Sequence, residues 1–248
     1  MKPLADSLDS LRLRYVAENY EPLAQQAAEK KWPHADYLQR LIEGECHRRQ
    51  ERALERRVQA ARFPVCKTLD RFRWDWPSKI NELQVKNLFR LGFLEKKTNV
   101  ILVGPCGTGK THLGLALGYE ACQRGHPVLF TTAVDALNNL VAAQAAHRLK
   151  AELKKYLAPP LLVLDELGYL PLDKLGADLL FQIVSQRYER GSIVLTTNKP
   201  FKRWPEIFNN DAGIATAILD RVLHGAETVV IEGKSFRMKD QIEPPAAS

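Results

Sequence analysis

The chain has 248 residues and a formal net charge of +7, with 36 Lys and Arg against 29 Asp and Glu. Its apolar content of 45% supports a substantial buried core, yet no apolar run approaches the length of a membrane span. The four cysteines, Cys46, Cys66, Cys106 and Cys122, lie far apart without C-x-x-C or zinc-type His spacing, which excludes a disulfide scaffold and leaves free thiols in a reducing compartment. The opening Met1-Lys2-Pro3-Leu4-Ala5-Asp6 is too polar for a secretory signal, so a cytoplasmic protein is expected. The basic balance favours an anionic partner, nucleic acid first.

In chain order, Leu4, Leu8, Leu11 and Tyr15 recur at helical spacing. A second short helix is predicted from about Glu21 to Lys31, with Pro22 in its first turn. A third begins after Pro33-His34, with apolar positions Tyr37, Leu38, Leu41, Ile42, Leu54 and Val58. Beyond Cys46 arginine takes over: Arg48, Arg49, Arg52, Arg56, Arg57 and Arg62 face only Glu51 and Glu55. Such a run reads either as a solvated face or as a contact to DNA phosphates, and charge alone leaves both open. Phe63 to Ser78, punctuated by Pro64 and Pro77, breaks the pattern and carries Phe72, Trp74 and Trp76. Aromatics beside basic residues can stack on bases; the plainer reading is that they pin a connection to the core. The expected organisation is an N-terminal helical domain over 1–65, a linker over 66–79 and a nucleotide-binding domain over 80–248.

Ile80 to Lys97 is predicted as one further helix. Five strands follow: Asn99 to Val103, Val128 to Thr132, Leu161 to Asp165, Ile193 to Thr197 and Thr228 to Ile231. Most are apolar without alternation, as strands buried on both faces are, and helical stretches separate them. The fold class is therefore α/β, a five-stranded parallel sheet flanked by helices and preceded by a small all-α region.

The first of these strands runs into Gly104, Pro105, Cys106, Gly107, Thr108, Gly109, Lys110, Thr111 and His112. Strand, glycine-rich turn and helix make a phosphate loop, whose backbone N–H groups and helix N-terminus cradle an anion. Lys110 would reach the β- and γ-phosphates of ATP and Thr111 would ligate Mg²⁺. Leu161 to Leu164 ends in Asp165, placed to hold Mg²⁺ through its water shell, and Glu166, placed to polarise an attacking water. Glutamate there points to hydrolysis by an enzyme-held base rather than transfer to a small acceptor. The strand through Thr196-Thr197 ends in Asn198, which either orients the water or merely opens the turn before Pro200. From pattern alone Arg221 and Arg237 are surface or packing arginines.

The chain resembles the IstB-like ATP-binding proteins of bacterial insertion sequences, relatives of DnaC-type helicase loaders within the AAA+ ATPases. The resemblance is carried by Gly104 to Thr111, Leu164-Asp165-Glu166-Leu167-Gly168-Tyr169-Leu170-Pro171-Leu172, Gln186-Arg187-Tyr188-Glu189-Arg190-Gly191-Ser192, Thr196-Thr197-Asn198-Lys199-Pro200-Phe201, Leu219-Asp220-Arg221-Val222-Leu223-His224 and Gly233 to Lys239. It implies that Asn198 is a first sensor, that Arg221 is an arginine finger acting on the ATP of a neighbouring subunit, and that Arg237 is a second-sensor-like arginine. It further implies a bacterial homo-oligomer that assembles on double-stranded DNA with ATP and stimulates the transposase of the same element. Relatives carry a DNA-touching insertion that here corresponds to Val134 to Pro160, with Arg148, Lys150, Lys154 and Lys155; paired helices with a purely structural role are the alternative. Two features set expectations against other AAA+ proteins. The chain leaves no room for a C-terminal helical lid, and it lacks the cysteine cluster of some helicase loaders. A DnaC-type loader and an ATP-gated DNA scaffold without functional turnover stand as the alternatives.

Overall fold

The computed structural model describes residues 4–238, so Lys239 of the closing motif lies outside the described residues. The chain forms two compact units that divide between Arg56 and Arg57.

The first unit is helical: α1 (Leu4–Ser10), α2 (Arg14–Glu29) and most of α3 (His34–Ala61). Its core is small. Leu8, Val16 and Leu41 are buried, with Leu13, Ala17, Tyr20, Leu23 and Tyr37 packed around them. Polar contacts do correspondingly more. The buried Glu45 carboxylate accepts the Tyr15 N–H at 2.8 Å, taking up an orphan donor of the first turn of α2, and pairs with Arg49 at 2.9 Å. Gly44, one residue earlier, sits against the Tyr15 ring, which a Cβ there would overlap. The helix predicted from Glu21 in fact starts at Arg14 and carries Pro22 in its interior. The proline removes one backbone donor, but Val16, Tyr20 and Leu23 continue a single apolar stripe across it, and burial of that stripe outweighs the local rule.

The second unit opens with the end of α3 and a 3-10 turn, Leu69–Arg71. The single helix predicted over Ile80 to Lys97 is two short ones, α4 (Glu82–Leu88) and α5 (Gly92–Glu95). The break falls at Leu91, in the left-handed region at φ 61°. Leu88, Leu91 and Phe93 are all buried, which one continuous helix would not allow, and the strain at Leu91 is offset by that burial.

The rest alternates strand and helix: β1 (Val100–Val103), α6 (Lys110–Gln123), β2 (Val128–Thr132), α7 (Ala133–Ala145), α8 (Leu149–Leu157), β3 (Leu161–Leu167), α9 (Lys174–Arg187), β4 (Ser192–Thr197), a 3-10 stretch Phe201–Phe208, α10 (Ala212–Leu223) and β5 (Glu227–Val230). All pairings among these five strands are parallel and the strand order is β2-β3-β4-β1-β5. Each predicted strand is present, with ends shifted by a residue or two. Side chains alternate between two faces. Ile101, Leu129, Leu162, Leu164, Ile193 and Leu195 join the core under α7 to α10, whereas Val163, Val194 and Thr196 face Gly114 of α6. The region Val134 to Pro160 is the expected helix pair, α7 and α8. Among the described residues only the 3-10 turn Phe236–Met238 follows β5, and no helix is long and apolar enough to cross a membrane.

Asn99 ties three elements at the foot of the sheet. Its Nδ2 donates to the Val222 carbonyl of α10 at 3.0 Å, and its Oδ1 accepts the Ile193 N–H of β4 at 2.9 Å. Asn99→Ala leaves both backbone groups buried without partners and lowers stability by about 1–3 kcal/mol. Urea denaturation measures this; an unchanged midpoint would refute the role given to Asn99.

Candidate nucleotide site

In a parallel sheet wound this way, ligand sites form beyond the carboxyl ends of the strands. The phosphate loop lies there, between β1 and α6. Gly107 and Gly109 have φ of 74° and 95°, and Gly109 is the N-cap of α6. A Cβ on Gly109 would stand 2.6 Å from the Phe72 ring, so glycine is required both by dihedral and by space. Thr108 Oγ1 donates to the Pro105 carbonyl at 2.9 Å, closing the loop on itself. Lys110 is 4% exposed, and its Nζ donates to the same carbonyl at 2.6 Å. Burial pushes its ammonium below the usual lysine range, Arg237 nearby pushes the same way, and Cys106 and Asp165 oppose this.

The carboxylates come from β3. Leu164 pairs with Leu195 and Leu167 with Thr197, so Asp165 and Glu166 together oppose Thr196 alone. This bulge puts Glu166 at φ 62° and lets two consecutive carboxylates reach one strand tip, where regular alternation would send them to opposite faces. Asp165 is buried, and its Oδ1 accepts from Thr111 Oγ1 at 3.1 Å and from Thr196 Oγ1 at 2.5 Å. Thr196 Oγ1 in turn accepts the Glu166 N–H at 2.9 Å. One hydroxyl therefore holds the Asp165 carboxylate and the Glu166 backbone together. Asp165, Glu166 and Thr111 share the wall of a cavity of about 810 Å³. Asn198 Oδ1 is buried with no hydrogen-bond partner, an acceptor that suits a bound water.

A second cavity, of about 490 Å³, lies over the phosphate loop, walled by Gly107 to His112, Phe72, Trp76, Tyr169, Phe236 and Arg237. The aromatic stretch thus roofs the loop. Phe72 packs edge-on against Trp74 and His112 at centroid distances of 4.8 and 5.5 Å, and Trp76 meets Phe236 at 5.3 Å. His112 Nε2–H donates to the Thr68 carbonyl at 2.9 Å, so this ring is committed to the roof. Arg237 stands in the cavity beside Lys110. Burial, and with it the neighbouring Cys106, raises the pKa of the Tyr169 phenol.

Arg221 lies apart from the loop. Arg221, on α10, lines a cavity with Lys96 to Asn99 and Gly191, which precede β1 and β4; β4 alone spans about 20 Å, six residues at about 3.3 Å each. Its guanidinium lies 4.9 Å over the Phe181 ring and donates to the Ala217 carbonyl at 2.8 Å. Of the basic residues, Arg48 is bidentate to Glu18 at 2.6 and 3.0 Å, Arg49 is paired with Glu45, and Arg57 donates to the Cys122 carbonyl at 2.8 Å. Arg52, Arg56, Arg148, Lys150 and Lys154 are exposed, and the exposed Lys155 pairs with Glu152 at 2.5 Å. Sequence reasoning gave no role at the site to Thr196 or Tyr169.

No three His, Cys, Asp or Glu side chains cluster to hold a metal among the described residues. Thr111 and Asp165 alone suit Mg²⁺, an ion that takes few protein ligands and completes its shell with water and substrate phosphates.

A family model described as IstB-like ATP binding protein matches residues 6–244. A relative from Pseudomonas aeruginosa, named as an ATP-binding protein of insertion sequence IS21, is 39% identical over 241 residues, 97% of this chain and 91% of that one. One from Geobacillus stearothermophilus, named likewise for insertion sequence IS5376, is 36% identical over 231 residues, 93% and 92% of the two chains. Among solved structures, the DnaC helicase loader aligns with a TM-score of 0.54 at 22% identity, covering 66% of this chain and 96% of that one. DnaA from Aquifex aeolicus bound to AMPPCP aligns at 0.57 and 22%, covering 75% and 57%. Both show a shared fold.

Gly109→Ala strains the loop at φ 95° and drives Phe72 from its place; ATP affinity falls at least tenfold in calorimetric titration while far-ultraviolet circular dichroism is unchanged. Undiminished affinity would show that the loop tolerates a side chain.

Proposed function

The chain belongs to the family of IstB-like ATP-binding proteins, and on that premise we propose that it is a Mg²⁺-dependent ATPase that assembles on double-stranded DNA and stimulates the transposase of its own insertion sequence. ATP binding is the family's property; hydrolysis, DNA and transposase are our reading. The observation that carries hydrolysis is the hydroxyl of Thr196, which joins Asp165 to the backbone of Glu166.

Lys110 leaves the Pro105 carbonyl for the β- and γ-phosphates, and the N–H groups of the loop take the remaining oxygens. Thr111 and Asp165 hold Mg²⁺, which when bound neutralises charge on the phosphates. Glu166 accepts a proton from water while the Asn198 Oδ1 fixes that water's other hydrogen. Arg237 supports the phosphates from the same chain. Arg221, a strand's length from its own loop, acts on the ATP of a neighbour, so turnover requires assembly. The roof of Phe72 and Trp76 offers the faces on which a purine stacks. The net charge of +7 and the exposed Arg52, Arg56, Arg148, Lys150 and Lys154 support contact with DNA phosphates. The bacterial cytoplasm is the matching compartment.

Glu166→Gln should bind ATP as tightly as the parent protein and lose hydrolysis by at least a hundredfold; retained turnover would refute Glu166 as base. If that variant still assembles on DNA and stimulates transposase fully, the protein is an ATP-gated scaffold. Mixing it with Arg221→Ala, itself inactive, should restore turnover, because each copy lends what the other lacks; no recovery would refute the trans-acting arginine. Capture of a replicative helicase instead of the transposase would replace the partner assignment with that of a helicase loader.

DNA affinity should fall steeply between low and moderate salt, with a log–log slope of about −0.9 for each phosphate neutralised. A flat response in fluorescence anisotropy would remove phosphate contacts as the source of binding.

A further inference from the structure

At the foot of the sheet, opposite the phosphate loop, a cavity of about 170 Å³ is enclosed by the loop before β1, the turn before β4 and the end of α10. Its charge is one-sided. Lys96, Lys97, Arg187 and Arg221 line it with His224, and Glu189 is the one carboxylate among the described lining residues.

Arg187 is the unusual member. It is 2% exposed, and its fork grips four carbonyls: Tyr156 at 2.7 Å, Pro159 at 2.9 Å, Pro160 at 3.0 Å and Ser192 at 2.7 Å. Its Nε–H is buried without a hydrogen-bond partner, and no carboxylate pairs with it among the described residues. Carbonyl dipoles solvate the cation but do not neutralise it, and burial lowers its pKa to about 10. A buried guanidinium in the wall of a cavity lined by three further permanent cations stabilises a negative charge placed in that cavity. Arg221 is half-buried and rests on Phe181 with one N–H on Ala217; the guanidinium has five donors in all. Lys96 and Lys97 are exposed. The cavity has room for a tetrahedral group.

We propose that this cavity is a phosphoryl-anion site whose donors are Arg221 and the Lys96–Lys97 pair, with the uncompensated charge of the buried Arg187 guanidinium in its wall. Two sources carry that chemistry: inorganic phosphate, and the terminal phosphate of a nucleotide held by a second copy of this chain. The second rests on the trans-acting reading of Arg221; the anion site itself does not. On either source Arg221 is one member of a basic pocket, and Lys97 is a second residue whose charge controls it.

The test uses the full chain carrying Lys110→Ala, which weakens the phosphate loop's own hold on anions. Inorganic phosphate should raise its thermal midpoint saturably beyond sodium chloride of equal ionic strength, and adding Lys97→Glu or Arg221→Ala should weaken the apparent affinity at least tenfold. Equal response to phosphate and chloride, or an effect insensitive to both substitutions, overturns the proposal. Lys97 is exposed, so its variant tests the site without disturbing the core. The source is decided with Lys110 intact. If a neighbour's nucleotide fills the site, Lys97→Glu loses turnover but not ATP binding, and admixed Glu166→Gln subunits restore it. Phosphate binding that Lys97→Glu weakens, with turnover unaffected, upholds the site and assigns it to inorganic phosphate, whatever becomes of the trans-acting reading.

Discussion

The candidate site depends on one oxygen. Asp165 Oδ1 lies between two threonine hydroxyls, one from the first turn of α6 and one from β4, while Asp165 itself ends the regular part of β3. The helix after the glycine-rich loop, the carboxylate strand β3 and the strand β4 that leads to Asn198 are thereby held in one relation. A regular ladder would not achieve this, since consecutive residues would point to opposite faces. The bulge at Asp165 and Glu166 solves that problem, at the cost of a glutamate in the left-handed region. The hydroxyl of Thr196, bonding to one carboxylate and to the other's backbone, holds the strained arrangement in place.

Buried polar groups at the other end of the sheet play a comparable part with different chemistry. Asn99 spends both ends of its amide on backbone, joining β4 to α10. Arg187 joins the end of α8 and the start of β3 to the start of β4 through four carbonyls. The α7–α8 pair, inserted between β2 and β3, is therefore not secured by apolar contacts alone. The difference between the two is charge. The amide is fully satisfied, whereas the guanidinium keeps an unpartnered N–H and an uncompensated positive charge beside a cavity.

Much of this was legible before any coordinates. Strands buried on both faces read as unbroken apolar runs, so the five strands and the loop after the first stood out, and the resemblance supplied the distant arginines. The misreadings share a cause. Pro22 and Leu91 obey local rules only until packing is counted: an apolar stripe carries α2 through the proline, and three buried side chains break the helix at Leu91. Thr196 was invisible for a further reason. Its role arises from the register of β3 against β4 and from the bulge, and no short window of residues encodes either. For the aromatics of the 63–78 stretch the sequence leaves base stacking and the pinning of a connection side by side, because what Phe72 and Trp76 roof is formed by residues far along the chain.

The strand order has a consequence for how the protein is made. β1, which bears the phosphate loop, pairs with β4 and β5 and not with β2, its successor in sequence. On the ribosome, β1 therefore waits unpaired until residues 192–197 and then 227–230 emerge. For most of translation its apolar edges have only α6 and the solvent, or a chaperone, as company. The Thr196 hydroxyl that bonds Asp165, and Arg237 in the cavity over the loop, are likewise synthesised late. A truncated nascent chain thus carries the whole glycine-rich motif without the two strands that flank it in the finished sheet.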